Sequence, residues 1–152
     1  MDINDIKCPK FAWIIMVGLG CIDLFRAFIH TFMLEYAALN IFVVDLSGGV
    51  DNQILLLGVF GISNYLTGIM FILIGLKARH LVPIMLPVIP IFYIGGSALI
   101  SRVATPTAQL GGDLYMRIYF TVCIATFLAI LVLNFKDRMK NKKEKLLLNK
   151  EL

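Results

Sequence analysis

Residues 54–76 read ILLLGVFGISNYLTGIMFILIGL, twenty-three consecutive positions without a charged side chain. A helix needs about 20 mostly apolar residues to cross roughly 30 Å of hydrocarbon, and this run meets that length. Residues 81–100, LVPIMLPVIPIFYIGGSALI, are equally free of charge. Residues 114–135 contain only Arg117, and residues 11–33 are interrupted only by Asp23, Arg26 and His30. Transmembrane strands would alternate over segments of about ten residues, whereas these runs are continuous. The expected fold is an all-α integral membrane protein, a four-transmembrane-helix bundle occupying residues 11–135.

The composition of the whole chain agrees. Of 152 residues, 59% are hydrophobic and 16% charged, and the mean hydropathy is +0.86. Soluble domains average roughly 45–50% apolar and about 25% charged residues. A soluble core of this size has no room for the excess. Disordered, fibrous and disulfide-scaffold classes are excluded by the same figures.

Basic residues set the expected orientation. Lys7 and Lys10 precede the first span, Lys77 and Arg79 join the second to the third, and seven more follow Phe135, so eleven of fourteen fall on one side. Both termini are therefore expected in the cytoplasm, with residues 1–10 as a short leader-side segment and residues 136–152 as a basic tail. Lys7, Lys10 and the run Phe11–Gly20 resemble a secretory signal, and Gly18-Leu19-Gly20-Cys21 resembles a lipoprotein box. Gly18 and Leu19 are the wrong residues for that box, and apolar character continues to Met33, so the segment is read as a span.

Helix packing has its own signals. Gly61, Gly68 and Gly75 recur every seven residues with Asn64 on the same face, a seam where a second backbone approaches closely and Asn64 supplies an interhelical hydrogen bond. Pro87 and Pro90 fall inside the third span and are expected to kink it, with Pro83 in its first turn. Gly95-Gly96-Ser97-Ala98 reads as a further contact or flexible point. Cys8, Cys21 and Cys123 are scattered without a C-x-x-C pair and read as small hydrophobes rather than redox centres.

Ionisable groups inside a span are costly and usually face the bundle interior or water. Asp23, Arg26 and His30, at i, i+3 and i+7, share one helical face. Arg102, Asp113 and Arg117 border the same outer half, and antiparallel threading brings Asn64 near the depth of Asp23. Two arrangements follow. One is a polar pocket open to the outer face and floored by Asp23 and Asn64. The other is a set of local ion pairs with snorkelling arginines. Three arginines favour an anionic occupant, a small organic acid or a phospholipid headgroup, and His30 would allow proton coupling.

Enzyme signatures such as H-E-x-x-H, G-x-S-x-G and the P-loop are absent from the sequence. His80 lies opposite His30, so no metal site is expected, and no cofactor is implied. The outer connection 35–53 reads as a partly buried connector or a lid, and residues 101–113 as irregular. The tail, with seven basic and three acidic residues, would attract anionic lipid; nucleic acid is not an expected partner. In length and helix count alone the layout is similar to small four-helix membrane families, including DoxX-like proteins and the eicosanoid-and-glutathione transferase group. That likeness carries no function. The expected role is a non-enzymatic accessory or binding module, alone, as a homo-oligomer or in a larger membrane complex. A small oligomeric transporter using Asp23, Arg26 and His30 is the alternative, and an intramembrane lipid-modifying enzyme a second.

Overall fold

The computed structural model describes residues 7–41, 50–102 and 113–149. Among them every regular element is helical, and four helices are long and apolar enough to cross a membrane. They are α1 (Lys10–Phe32), α2 (Val50–Lys77), α3 (Val82–Ile100) and α4 (Asp113–Leu148). Helix α2 starts four residues before the apolar run, inside what reads from the sequence as the outer connection. Helix α4 does not stop at Phe135. The segment KDRMKNKKEKLLL contains no Gly or Pro and is rich in strong helix formers, so the basic tail continues the helix. At about 1.5 Å per residue α4 is roughly 54 Å long, well beyond its apolar stretch.

The connections are compact. Met33 leaves the helical region (φ −120°, ψ 42°) and ends α1. A short turn Leu34–Tyr36 and a π-turn Ala37–Ile41 follow, and Ala37 and Ala38 are buried. The remainder of the outer connection, residues 42–49, and most of the 101–113 loop lie outside the described residues. Between α2 and α3 a 3-10 turn, Arg79–Leu81, reverses the chain. Helix α3 runs through Pro87 and Pro90 as one element, with Pro83 in its first turn, where a missing N–H is harmless.

Helix α1 is the hub and packs against the other three, most extensively against α2. The α1–α2 seam is the expected glycine stripe, completed by a glycine of α1. A Cβ on Gly68 would stand 2.8 Å from the Gly20 carbonyl oxygen, and a Cβ on Gly20 2.7 Å from that of Gly68. At Gly61 it would meet His30, and at Gly75 the Trp13 carbonyl at 3.0 Å. These four contacts define an antiparallel register in which Asn64 sits level with Arg26 and Ala27. Gly95 and Gly96, by contrast, face open space.

The core is built from Ala12, Met16 and Leu19 of α1, Phe71 and Ile74 of α2, Val82 and Leu86 of α3, and Tyr119, Cys123 and Ile130 of α4. Helix α3 contributes only its first half; from Ile91 onward it is almost wholly exposed. Outside the core the surface is apolar, with Leu66 67% and Phe92 75% exposed. At the basic end the guanidinium of Arg79 stacks 4.3 Å from the Trp13 ring centroid, a cation–π contact. Beside it Cys8 is half-buried, and burial pushes its thiol above the ordinary range despite the opposing charge of Arg79.

The seam predicts a sharp contrast among glycine substitutions. Gly20→Ala and Gly68→Ala each press a methyl group against backbone and are expected to destabilise by about 1–3 kcal/mol, as overpacking does. Gly95→Ala meets nothing and is expected to be neutral or to stabilise by up to about 1 kcal/mol through helix propensity. Thermal unfolding in detergent measures both.

Candidate functional site

The face of α1 that carries Asp23, Arg26 and His30 is turned into the bundle. Asp23 and His30 are both only 4% exposed. Asp23 Oδ1 accepts a hydrogen bond from Arg26 Nη1 at 3.3 Å, and Asp23 Oδ2 accepts one from the Tyr119 hydroxyl of α4 at 3.0 Å. The carboxylate is thus bound on both oxygens, once within its own helix and once across to another. A buried charge without partners costs several kcal/mol, and a pair of opposite charges with further hydrogen bonds removes most of that cost.

Arg26 is less enclosed. Its side chain is 23% exposed, Nη1 also contacts Met116 Sδ at 3.3 Å, and the guanidinium carbon lies 5.9 Å from the Phe60 ring centroid. The His30 ring stands 6.1 Å from the same phenyl ring, with its Cβ against Gly61. Next to this group Thr31 and Tyr65 join their hydroxyls at 3.2 Å, a second polar link across the α1–α2 seam.

On α2, Asn64 is buried at about the same level. It is 7% exposed, and its Nδ2 is buried without a hydrogen-bond partner among the described residues. Phe60 and Asn64 are one helical turn apart, and the glycine register sets Asn64 at the level of Arg26. A buried amide donor left unsatisfied costs about 1–3 kcal/mol.

The structure therefore brings Asp23, Arg26 and His30 together with Phe60, Met116 and Tyr119, and buries Asn64 on α2 one helical turn from Phe60. It does not bring in the other arginines. Arg102 and Arg117 are exposed, Arg117 lying on the outer side of α4 while Met116 and Tyr119 face α1. The side chain of Asp113 lies outside the described residues. Charge drew attention to the wrong face of α4, because its inner face is polar but neutral. Tyr119, Cys123, Thr126 and Asn134 follow at intervals of four, three and eight, one stripe of a helix, and all four are buried. That periodicity was the available signal for Tyr119. Among the described residues no three His, Cys, Asp or Glu side chains stand close enough together to hold a metal ion.

The described residues thus form a bundle of four long helices, with an ion pair of α1 bonded across to α4 and, on α2, a buried amide nitrogen without a hydrogen-bond partner among the described residues. Comparison with family models, curated proteins and solved structures finds no match.

A double-mutant cycle tests the coupling of the charges. Arg26→Gln, which leaves Asp23 buried with one partner, is expected to cost about 3 kcal/mol or more. Adding Asp23→Asn restores part of it, with an interaction energy on the order of 1–3 kcal/mol. Tyr119→Phe removes one hydrogen bond to a charged acceptor and costs about 1.5–3 kcal/mol. Unfolding midpoints of the four proteins report each value.

Proposed function

We propose that the chain is a multi-pass membrane protein with both termini in the cytoplasm, and that the α1–α2–α4 cluster binds a small ligand carrying an oxygen acceptor. A carboxylate or the phosphate of a lipid headgroup is the class that suits it. The role is that of a non-enzymatic binding module or accessory subunit. Four apolar helices with large exposed hydrophobic side chains support the membrane reading, since water-exposed patches of that extent belong to interaction or membrane surfaces. The crowding of basic residues at one end supports the orientation.

The observation that carries the ligand reading is the buried Nδ2 of Asn64, without a hydrogen-bond partner among the described residues, at the helix level of Arg26. Arginine has five N–H donors, and the described contacts of Arg26 all use Nη1. One oxygen bridging Asn64 Nδ2 and the remaining Arg26 donors would satisfy both. Asp23 lies deeper and is occupied, so it serves to hold Arg26 rather than to receive the ligand. Phe60 and Met116 supply apolar walls that keep water away and strengthen the contact.

A second reading, a small transporter, draws on the Asp23–Tyr119 bond. It links α1 to α4 through a titratable group, so a change in its protonation would loosen one helix from another. Transport predicts that Asp23→Asn abolishes substrate flux in proteoliposomes while the protein stays folded.

Native mass spectrometry after gentle extraction tests the binding reading. Wild type is expected to carry a carboxylate- or phosphate-bearing ligand that Arg26→Ala and Asn64→Val each release. A bare wild type, or a ligand indifferent to both changes, overturns it. Orientation is tested on a background with the three cysteines replaced by alanine. Ser101→Cys should react with an impermeant maleimide from outside intact cells, and Lys140→Cys only after the membrane is opened.

A further inference from the structure

The faces that the helices turn toward one another change in character along the bundle. Toward the basic end they are apolar, with Met16 of α1, Phe71 of α2, Leu86 of α3 and Ile130 of α4 in one core. Toward the other end the stripes of three helices turn polar. On α1, Met16 and Leu19 are followed by Asp23 and Arg26 at helical spacing, and on α2 Asn64 stands seven residues from Phe71. Helix α3 differs. Its buried residues Val82, Leu86 and Pro90 are continued on the same face by Tyr93 and Ser97, and both of these are exposed. The Tyr93 ring packs on Phe120 of α4 with centroids 4.7 Å apart, and beyond it Gly95 and Gly96 face open space. Among the described residues, the fourth wall of the bundle therefore ends near Pro90, and the polar half is open on the α3 side. Arg26 lies on the inward stripe of α1 and its side chain is nevertheless 23% exposed, consistent with the missing wall.

We propose that this side opening admits an anionic phospholipid from the bilayer, so that the ligand of Arg26 and Asn64 is carried on acyl chains rather than arriving as a water-soluble acid. The proposal deepens the binding reading and rests on it and on the membrane placement. The apolar core closes the other half of the bundle, so the polar half is a dead end, entered from the side or from its own end. The flanks of the opening are greasy: Phe92 and Ile94 on α3 and Phe60 on α2 are all exposed, surfaces on which acyl chains rest. Arg26 stands six residues inside the end of α1, about 9 Å along the axis, a depth that a headgroup reaches when its own chains lie in the opening. Guanidinium matches phosphate geometry, and the described hydrogen bonds of Arg26 use only Nη1, which leaves Nη2 and Nε to donate. The buried Nδ2 of Asn64, without a partner among the described residues, is a further donor for the same class of ligand. Both oxygens of Asp23 are already hydrogen-bonded, and the phosphate charge stays at the exposed side of the guanidinium, where it is not desolvated against that carboxylate.

The test titrates the full chain in detergent with three probes and reads binding by native mass spectrometry. Dioleoyl phosphatidylglycerol carries chains and phosphate, dioleoylglycerol the chains alone, and glycerol 3-phosphate the phosphate alone. Wild type is expected to bind the phospholipid at least about tenfold tighter than either fragment, the worth of one charge-assisted hydrogen bond. Arg26→Gln should weaken the phospholipid about tenfold by the same reasoning and leave dioleoylglycerol unchanged. Because that change also costs stability, the opening is tested apart from the charge. Ser97→Trp, at an exposed position on the face of α3 that continues its buried stripe, fills the opening and should weaken the phospholipid severalfold. Leu99→Trp, on the opposite face of the same helix, should change nothing. Glycerol 3-phosphate bound as tightly as the phospholipid overturns the lipid assignment and leaves the binding reading standing. Dioleoylglycerol bound as tightly as the phospholipid overturns the proposal, as does an equal effect of the two tryptophans, since either reduces the result to general adhesion of lipid. Binding of none of the probes, with no ligand on the extracted protein, overturns this proposal and the binding reading together, so the two failures are distinguishable.

Discussion

The closest constraint in the molecule is the meeting of the Gly20 and Gly68 backbones, where neither position has room for a methyl group. In an apolar surrounding no hydrophobic force draws one helix to another, so shape and hydrogen bonds decide which faces meet. The glycines provide shape. With Gly61 against His30 and Gly75 against Trp13, they fix both the rotation and the axial register of α1 on α2. Everything polar at the far end depends on that register. It sets Asn64 level with Arg26, puts Phe60 beside both Arg26 and His30, and directs Asp23 away from α2 toward α4.

A charged residue in such a place has to be met by the partner helix, and α4 meets it with a phenol rather than a second charge. The hydroxyl of Tyr119 donates to Asp23 without adding a further ion to be desolvated, while Arg26 neutralises the carboxylate from within α1. The result is an assembly of no net charge in which both carboxylate oxygens are hydrogen-bonded.

The four spans and the α2 glycines were legible because each announces itself in one dimension, by length without charge and by seven-residue spacing. Gly20 was not, since it sits in a stretch whose Gly-Leu-Gly-Cys reads as a cleavage box, and a seam is a property of two helices at once. The cluster was legible on α1, where charge inside a span has few explanations, and illegible on α4. There the charged residue, Arg117, is exposed, and the bond to Asp23 is made by Tyr119, a residue that hydropathy treats as unremarkable. The extension of α4 to Leu148 was hidden for a different reason. Loss of apolar character ends a span without ending a helix, and the Lys- and Glu-rich stretch that follows has high helix propensity.

Helix α4 is joined to α1 in another way than α2 is. Polar contacts hold it at both ends, Tyr119 to Asp23 and Arg26 to Met116 at one and Asn134 to the Lys7 backbone at the other. Because the Asp23 end of one segment meets the Tyr119 end of the other and Lys7 meets Asn134, the two bonds together require the segments to run antiparallel. Between them the contacts are apolar, made by Met16, Leu19, Cys123 and Ile130, and apolar surfaces tolerate sliding. The α1–α2 pair is therefore rigid by shape, whereas the position of α4 is set by two hydrogen-bonded ends, one of them beside the proposed ligand site. A ligand that competes for Tyr119 changes the position of α4 at that end first. Of the two helix pairs, α1–α4 is the one through which binding would be felt elsewhere in the bundle.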